Sequence, residues 1–175
     1  MNLPIEMLHE IARCDEKSYR AMLSVPVFAR SLTPSIITDY MILFGYTVRI
    51  TKSRVVWSHN DHETIHHISG LIEHRYKGER HNDREPAIIR PDGTQIWYRK
   101  GVVHRDNGPA IIHFNGDKAW YSNGLCHRKD EPAKIFSNGD LEWYKEGLLH
   151  RINGPARIRN KVEEWWINGH KENYS

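Results

Sequence analysis

Between residues 64 and 172 the apolar and polar positions come round in one fixed order. An aromatic pair is followed by two polar residues and a glycine. Two more residues lead to His-Arg, and a Pro-Ala step then opens an isoleucine-containing segment. Three copies align without gaps: WYRKGVVHRDNGPA from Trp97, WYSNGLCHRKDEPA from Trp120 and WYKEGLLHRINGPA from Trp143, 23 residues apart at both steps. WWINGHKEN from Trp165 begins a further copy one residue early. HRYKGERHNDREPA from His74 is a worn copy with His in the tryptophan position. Residues that return together at one such period mark a repeat array.

Each unit carries its own turn chemistry. Asp92-Gly93, Asn115-Gly116 and Asn138-Gly139 lie between a Pro-Ala-x-Ile segment and the next aromatic pair, and Ser69-Gly70 holds that place in the worn copy. Read as two-residue hairpin loops with positive φ at both positions, they pair Ile112 with Ala119, Ala110 with Tyr121 and, on the other face, Ile111 with Trp120. That register predicts one face of Ala, Ile and Tyr. On the opposite face the tryptophans meet a partner that drifts from Ile88 and Ile111 to Lys134 and Arg157. It sets Lys134 over Trp143 and Arg157 over Trp165, and opens the Trp face to water toward the end of the array. A second glycine, at 78, 101, 124, 147 and 169, turns the chain again. Prolines at 86, 109, 132 and 155 open strands where a missing N–H does least harm.

Residues 3–45 follow a helical period instead. Leu3, Met7, Leu8 and Ile11 form a stripe with Pro4 in the first turn; Tyr19, Met22 and Leu23 mark a second helix; Ile36, Ile37, Tyr40, Met41 and Phe44 mark a last one stopped by Gly45. The expected fold is α+β and mainly β. A short helical head over residues 1–45 precedes an elongated antiparallel sheet of β-hairpin repeats over residues 46–175.

Composition agrees with a thin sheet rather than a deep core: 39% of the 175 residues are hydrophobic and the mean hydropathy is −0.68. Net charge is +3, with 7 Lys/Arg and 7 Asp/Glu in residues 1–63 and 18 and 15 in the remainder. No dense basic block results, so a nucleic-acid clamp is not indicated. The two cysteines, Cys14 and Cys126, form no C-x-x-C motif, which fits a reducing compartment. The opening MNLPIEMLHE carries acids where a secretory leader is basic and then apolar. The longest apolar run, Tyr40–Val48, falls short of the roughly 20 residues that span a bilayer. These features predict an intracellular, cytoplasmic protein.

The W-x-x-x-G-x-x-H pattern at this period resembles MORN repeats over about residues 64–172. It departs from their usual form in lacking the Tyr-x-Gly before the tryptophan and in having Gly-Pro-Ala where Gly-x-Gly is common. It is most similar to the H-R-x-x-G-P-A variant found in expanded families of large DNA viruses. The resemblance implies a single-layer sheet of hairpins, a viral origin, protein scaffolding and lipid contact. The stretch from Leu3 to Leu32 resembles an F-box through Leu3-Pro4, Glu6, Leu8, Ile11 and the Val25-x-x-Phe28 region, without the family's Cys and Trp. An F-box implies docking on a Skp-type adaptor of cullin ubiquitin ligases, with Leu3, Pro4, Leu8 and Ile11 as contacts. The alternative is that these helices only cap the first repeat, which otherwise leaves an open edge.

Candidate chemistry is sparse. His59, His62, His66 and His67, with Asp61 and Glu63, read as a polar loop rather than a metal site, because adjacent His66 and His67 on a strand point to opposite faces. His104, His127 and His150, each followed by Arg, recur as structural parts: imidazole bonds a turn carbonyl and packs on the neighbouring indole, while Arg stacks or pairs with an acid. G-x-S-x-G, phosphate-loop and H-E-x-x-H patterns do not occur. Cys126 reads as a small apolar filler. We therefore expect a non-enzymatic protein-interaction module without cofactor or metal, which binds host or viral proteins through Lys134, Trp143, Arg157 and Trp165 on the repeat face. A virion or virus-factory structural protein and a peripheral membrane scaffold are the alternatives. A homodimer through the terminal sheet edge is a further expectation.

Overall fold

The computed structural model describes Gly45 and residues 47–172. The helical head expected over residues 1–45, with Leu3, Pro4, Leu8 and Ile11, lies outside the described residues except for Gly45. From Thr47 onward the described chain is built of antiparallel strands and turns.

Four longer strands come first: β1 (Thr47–Ile50), β2 (Arg54–His59), β3 (His62–His67) and β4 (Ile72–Tyr76), with β5 (Glu79–Arg80) returning on β4. The repeats follow. β6 (Ile88–Ile89) and β7 (Gln95–Ile96) enter the main sheet, and β8 (Tyr98–Arg99) and β9 (Val102–Val103) form a separate side hairpin. β10 (Ile111–Ile112) and β11 (Lys118–Ala119), then the side hairpin β12 (Tyr121–Ser122) and β13 (Leu125–Cys126), repeat the scheme. So do β14 (Lys134–Ile135), β15 (Leu141–Glu142), β16 (Tyr144–Lys145) and β17 (Leu148–Leu149). β18 (Arg157–Arg159), β19 (Val162–Ile167) and β20 (His170–Glu172) close the sheet. The order β1-β2-β3-β4-β6-β7-β10-β11-β14-β15-β18-β19-β20 has no crossover, so the main sheet is a meander. The aromatic pair is where each unit leaves it for a side hairpin.

The Asn-Gly and Asp-Gly steps are not the two-residue loops expected. The His113 N–H bonds the Asp117 carbonyl and the Gly116 N–H bonds the His113 carbonyl, both at 2.9 Å. Phe114, Asn115 and Gly116 thus form a three-residue loop in which Gly116 alone takes positive φ, 92°. This is a type I turn closed by a left-handed glycine bulge. Arg90 with Thr94 and Phe136 with Asp140 repeat it. The extra loop residue moves the register by one, so Ile111 faces Ala119 and Ile112 faces Lys118. A one-residue slip exchanges the faces of a sheet. The expected grouping is therefore corrected: the tryptophans share a face with the Ala-x-Ile residues, and the drifting residue shares a face with the tyrosines.

Two-residue loops with positive φ at both positions occur at the second glycine instead, as at Lys100-Gly101 (49° and 75°), Asn123-Gly124 (49° and 82°) and Glu146-Gly147 (51° and 84°). The last unit explains its early tryptophan. Asn160 and Lys161, at 49° and 66°, turn β18 into β19 with two residues, and Arg157 meets Glu164 one residue sooner.

Neighbouring units are stitched at both ends of their strands. The Gly124 N–H bonds the Val103 carbonyl and the Gly147 N–H bonds the Cys126 carbonyl, each at 2.9 Å. Beside these, His81, His104, His127 and His150 accept through Nδ1 the N–H of Lys100, Asn123, Glu146 and Asn168 at 3.2, 3.0, 3.2 and 3.1 Å. The imidazole thus accepts from a turn amide rather than bonding a turn carbonyl. At the other end Thr94 Oγ1, Asp117 Oδ1 and Asp140 Oδ1 accept the N–H of Phe114, Ser137 and Asn160 at 3.3, 2.7 and 2.9 Å. Each stitch gives a loop amide the partner it needs. Between the ends, Ala87, Ala110, Ala133 and Ala156 have no exposed surface. The carbonyls of the last three accept the backbone N–H of Trp97, Trp120 and Trp143, each at 2.8 Å.

Candidate interaction surface

The residues that return in every unit are consumed in holding it together. Arg105, Arg128 and Arg151 lie flat on Trp97, Trp120 and Trp143, with each guanidinium carbon 3.9 Å from the ring centre. One nitrogen of each donates onward to the carbonyl of Pro109, Pro132 or Pro155 at 3.1, 3.3 and 3.2 Å. The glycine of Gly-Pro-Ala answers to this stack: a Cβ at Gly154, where φ is 142°, would stand 3.0 Å from Arg151 Nη1. The copy with Glu131 in that place moves its positive φ to Asp130 and pairs Glu131 with Arg128.

Trp143 is 8% exposed and Trp97 6%. The expectation that the Trp face opens to water toward the end of the array is thus corrected at Trp143, which Arg151 covers. Trp165 is half-buried on the same side of the sheet.

The other face passes from apolar to charged along the array. Glu73, Ile88, Ile96, Ile111 and Ala119 stand side by side across its first half. Lys134, Glu142, Arg157 and Glu164 continue the row across the second. Tyr98, Tyr121 and Tyr144, at the start of the side hairpins, and Trp166 on β19 follow Ile96, Ala119, Glu142 and Glu164 by two residues along the chain. The four residues singled out from the sequence are therefore not brought together. Lys134 and Arg157 lie on this Tyr face, whereas Trp143 and Trp165 lie on the opposite one. Lys134 Nζ is 4.9 Å from the Tyr144 ring centre and the Arg157 guanidinium 5.4 Å from that of Trp166, so the cations ride on neighbours of the tryptophans first assigned.

Glu142 is the centre of the charged half and is 1% exposed. Its Oε1 accepts from Arg157 Nε at 3.1 Å and meets Arg159 Nη2 at 2.8 Å; its Oε2 accepts from the Tyr144 hydroxyl at 3.1 Å, with Lys134 Nζ at 4.0 Å. A buried carboxylate is tolerable only when paired and hydrogen-bonded in this way. Arg157 also donates to Glu164 at 3.1 Å, and Lys171 Nζ reaches Glu164 at 2.6 Å. The Lys171 ammonium, with Arg157 beside it, holds the Glu164 carboxyl below the usual carboxylate range. Burial first, and the Glu142 charge second, push the Tyr144 phenol up to about 12. Sequence reasoning missed Tyr144, Arg159, Trp166 and Lys171. The signal for the first and third was their position two residues beyond Glu142 and Glu164.

The remaining candidates have structural partners. His59 and His62 close the hairpin of β2 and β3 by facing each other, not in a loop as expected. His62 and His66 lie against Tyr76 and Trp57, with ring centres 4.7 and 4.4 Å apart. Among the described residues no group of three His, Cys, Asp or Glu is placed to hold a metal ion, and no helix is long and apolar enough to cross a membrane. A polar cavity of about 240 Å³ lies between the loops of Asn82–Arg84 and His104–Asn107. Asp106 bridges its wall to His104 at 2.8 Å and Arg99 at 2.9 Å. Burial pushes the Cys126 thiol up to about 11, and Glu142 adds to the effect. No protein-family model and no curated protein matches this chain.

Proposed function

We propose that the chain is a non-enzymatic protein-interaction module, a MORN-like repeat sheet with an F-box-like head. Its Tyr face binds host or viral proteins in the cytoplasm, and its head recruits a cullin ubiquitin ligase through a Skp-type adaptor. One observation supports the sheet half of this reading. On the Tyr face the row of Ile88, Ile96, Ile111 and Ala119 gives way to Lys134, Glu142, Arg157 and Glu164, so this face passes from apolar to charged along the array and offers a distinct surface at its end. The head half rests on Leu3, Pro4, Leu8 and Ile11. The test is capture of partners from host-cell extract by the intact protein and by a variant with Leu3, Leu8 and Ile11 made charged. Adaptor and cullin recovered only by the intact protein support the ligase role. Recovery of neither by two folded proteins leaves the head as a cap.

A second reading, a peripheral membrane scaffold, is favoured by one feature. Val102, Leu125 and Leu148 are 43, 50 and 50% exposed and line up along the side hairpins, each near the glycine of the next hairpin. Co-sedimentation with anionic liposomes, lost when these three become Ser, is its expected result.

A further inference from the structure

We propose that the Tyr face of the last two units docks an acidic segment of a protein partner, one with separated carboxylates and apolar side chains between them. The proposal rests on the interaction reading and supplies its ligand chemistry. On β14, β15, β18, β19 and β20 this face carries four cations, Lys134, Arg157, Arg159 and Lys171, against two carboxylates, Glu142 and Glu164. Asp140, at the loop end of β15 beside Arg159, adds a third carboxylate, whose oxygens accept from the Asn160 N–H and the Asn138 side chain, so one positive charge is left over.

Depth separates the two signs. Glu142 is buried beneath three cations and the Glu164 side chain is 21% exposed, while the Arg159 and Lys171 side chains are 52 and 49% exposed. Arg159 and Lys171 are thus the exposed cations of the cluster, whereas Lys134 and Arg157, at 30 and 25%, are nearly as covered as Glu164. Arg159 directs one nitrogen to Glu142, and its planar fork has further donors suited to a second carboxylate. Val162, 62% exposed, stands opposite Arg159, and Trp166 lies beside Arg157 and Lys171. Apolar contact thus sits between the cations, and aromatic–Arg surfaces of this kind are favoured at protein interfaces.

A nucleic acid fits less well, since an unbroken run of phosphates would meet Glu142 and Glu164 inside the patch. Strand addition at the edge is a different mode, and β20 presents only exposed His170, Lys171 and Glu172 there, charges that discourage pairing.

The test is fluorescence anisotropy of the full chain with a labelled Glu-Tyr copolymer, polylysine and a random single-stranded oligonucleotide. Two double variants of equal charge change are compared: Arg159→Ala with Lys171→Ala on the Tyr face, and Lys118→Ala with Lys145→Ala as the control. The expected result is binding of the Glu-Tyr copolymer that weakens with salt, falls about tenfold in the first variant and holds in the second. Equal loss in both variants, no binding of the copolymer, or tighter binding of the oligonucleotide would overturn the proposal. If the copolymer fails while partners captured from extract persist in the first variant, only the ligand chemistry falls. If the intact protein captures no partner, the interaction reading falls with it.

Discussion

Replacing Trp143 by Ala separates the two roles a repeated tryptophan can have. An indole of roughly 150–250 Å², nine-tenths removed from water, contributes about 3.5–6 kcal/mol at about 25 cal/mol per Å². That figure is an upper bound, because the unfolded chain already shields part of the ring. Alanine keeps a small share, and Arg151 loses a platform worth about 0.5–1 kcal/mol. One term runs the other way. The buried Trp143 Nε1 finds no hydrogen-bond partner among the described residues, so its removal returns about 1 kcal/mol. The net loss is about 3–4 kcal/mol, in the range for truncating a buried aromatic. Urea unfolding followed by circular dichroism, with the slope held common to both proteins, measures it. Trp143→Phe, which keeps a ring under Arg151 and removes the orphan N–H, should lose about 1–2 kcal/mol. A loss below about 1 kcal/mol for Trp143→Ala, with partner capture abolished, would refute the assignment of this tryptophan to the core and return it to the binding surface.

Four further outcomes follow from the stitching. Gly154→Ala should cost about 1–3 kcal/mol by thermal denaturation, since the new Cβ meets the Arg151 guanidinium at a strained φ. His104→Ala should leave the Asn123 amide without its acceptor, cost about 1–3 kcal/mol and speed hydrogen exchange at Asn123. Acid should destabilise the sheet. The Ser137 N–H holds the Asp117 carboxyl below its ordinary value, and Arg75 does so for Glu73 against the opposing effect of burial. Lowered folded-state values give stability that is present above the ordinary carboxylate range and lost as pH falls through them, so Tm should drop below about pH 4 and Asp117→Asn should flatten that drop. Finally, in a Cys14→Ser background Cys126 should react with a disulfide reagent at neutral pH only on unfolding, because it is buried and its thiol titrates near 11.

The repeat, its period and its hairpins were legible because glycine, proline and tryptophan each answer a local need that recurs. The register was not. Asn115-Gly116 serves equally as a two-residue loop or as the end of a three-residue loop closed by a glycine bulge. The choice moves every later side chain to the other face. A cue did exist in the chain: Trp165 arrives one residue early, and setting Arg157 and Glu164 against Lys134 and Glu142 shows one loop shorter by a residue. The sequence offered the indole to each histidine, whereas the Arg that follows it takes that place. The chain could not say that its own Trp, rather than a neighbour's, would be the one covered. The Glu142 cluster was hidden for a related reason, since it joins four strands whose side-by-side placement depends on that same register.

The most direct test of the central claim compares the two faces in one experiment. Partners are captured from host-cell extract by the intact protein, by the Tyr-face variant with Arg159 and Lys171 changed to Ala, and by the Trp-face variant, in which Lys118 and the side-hairpin Lys145 are changed to Ala, and are quantified by mass spectrometry. Loss confined to the Tyr-face variant, with both variants melting as the parent does, is the predicted result. Loss confined to the Trp-face variant would contradict the division of labour between the two faces.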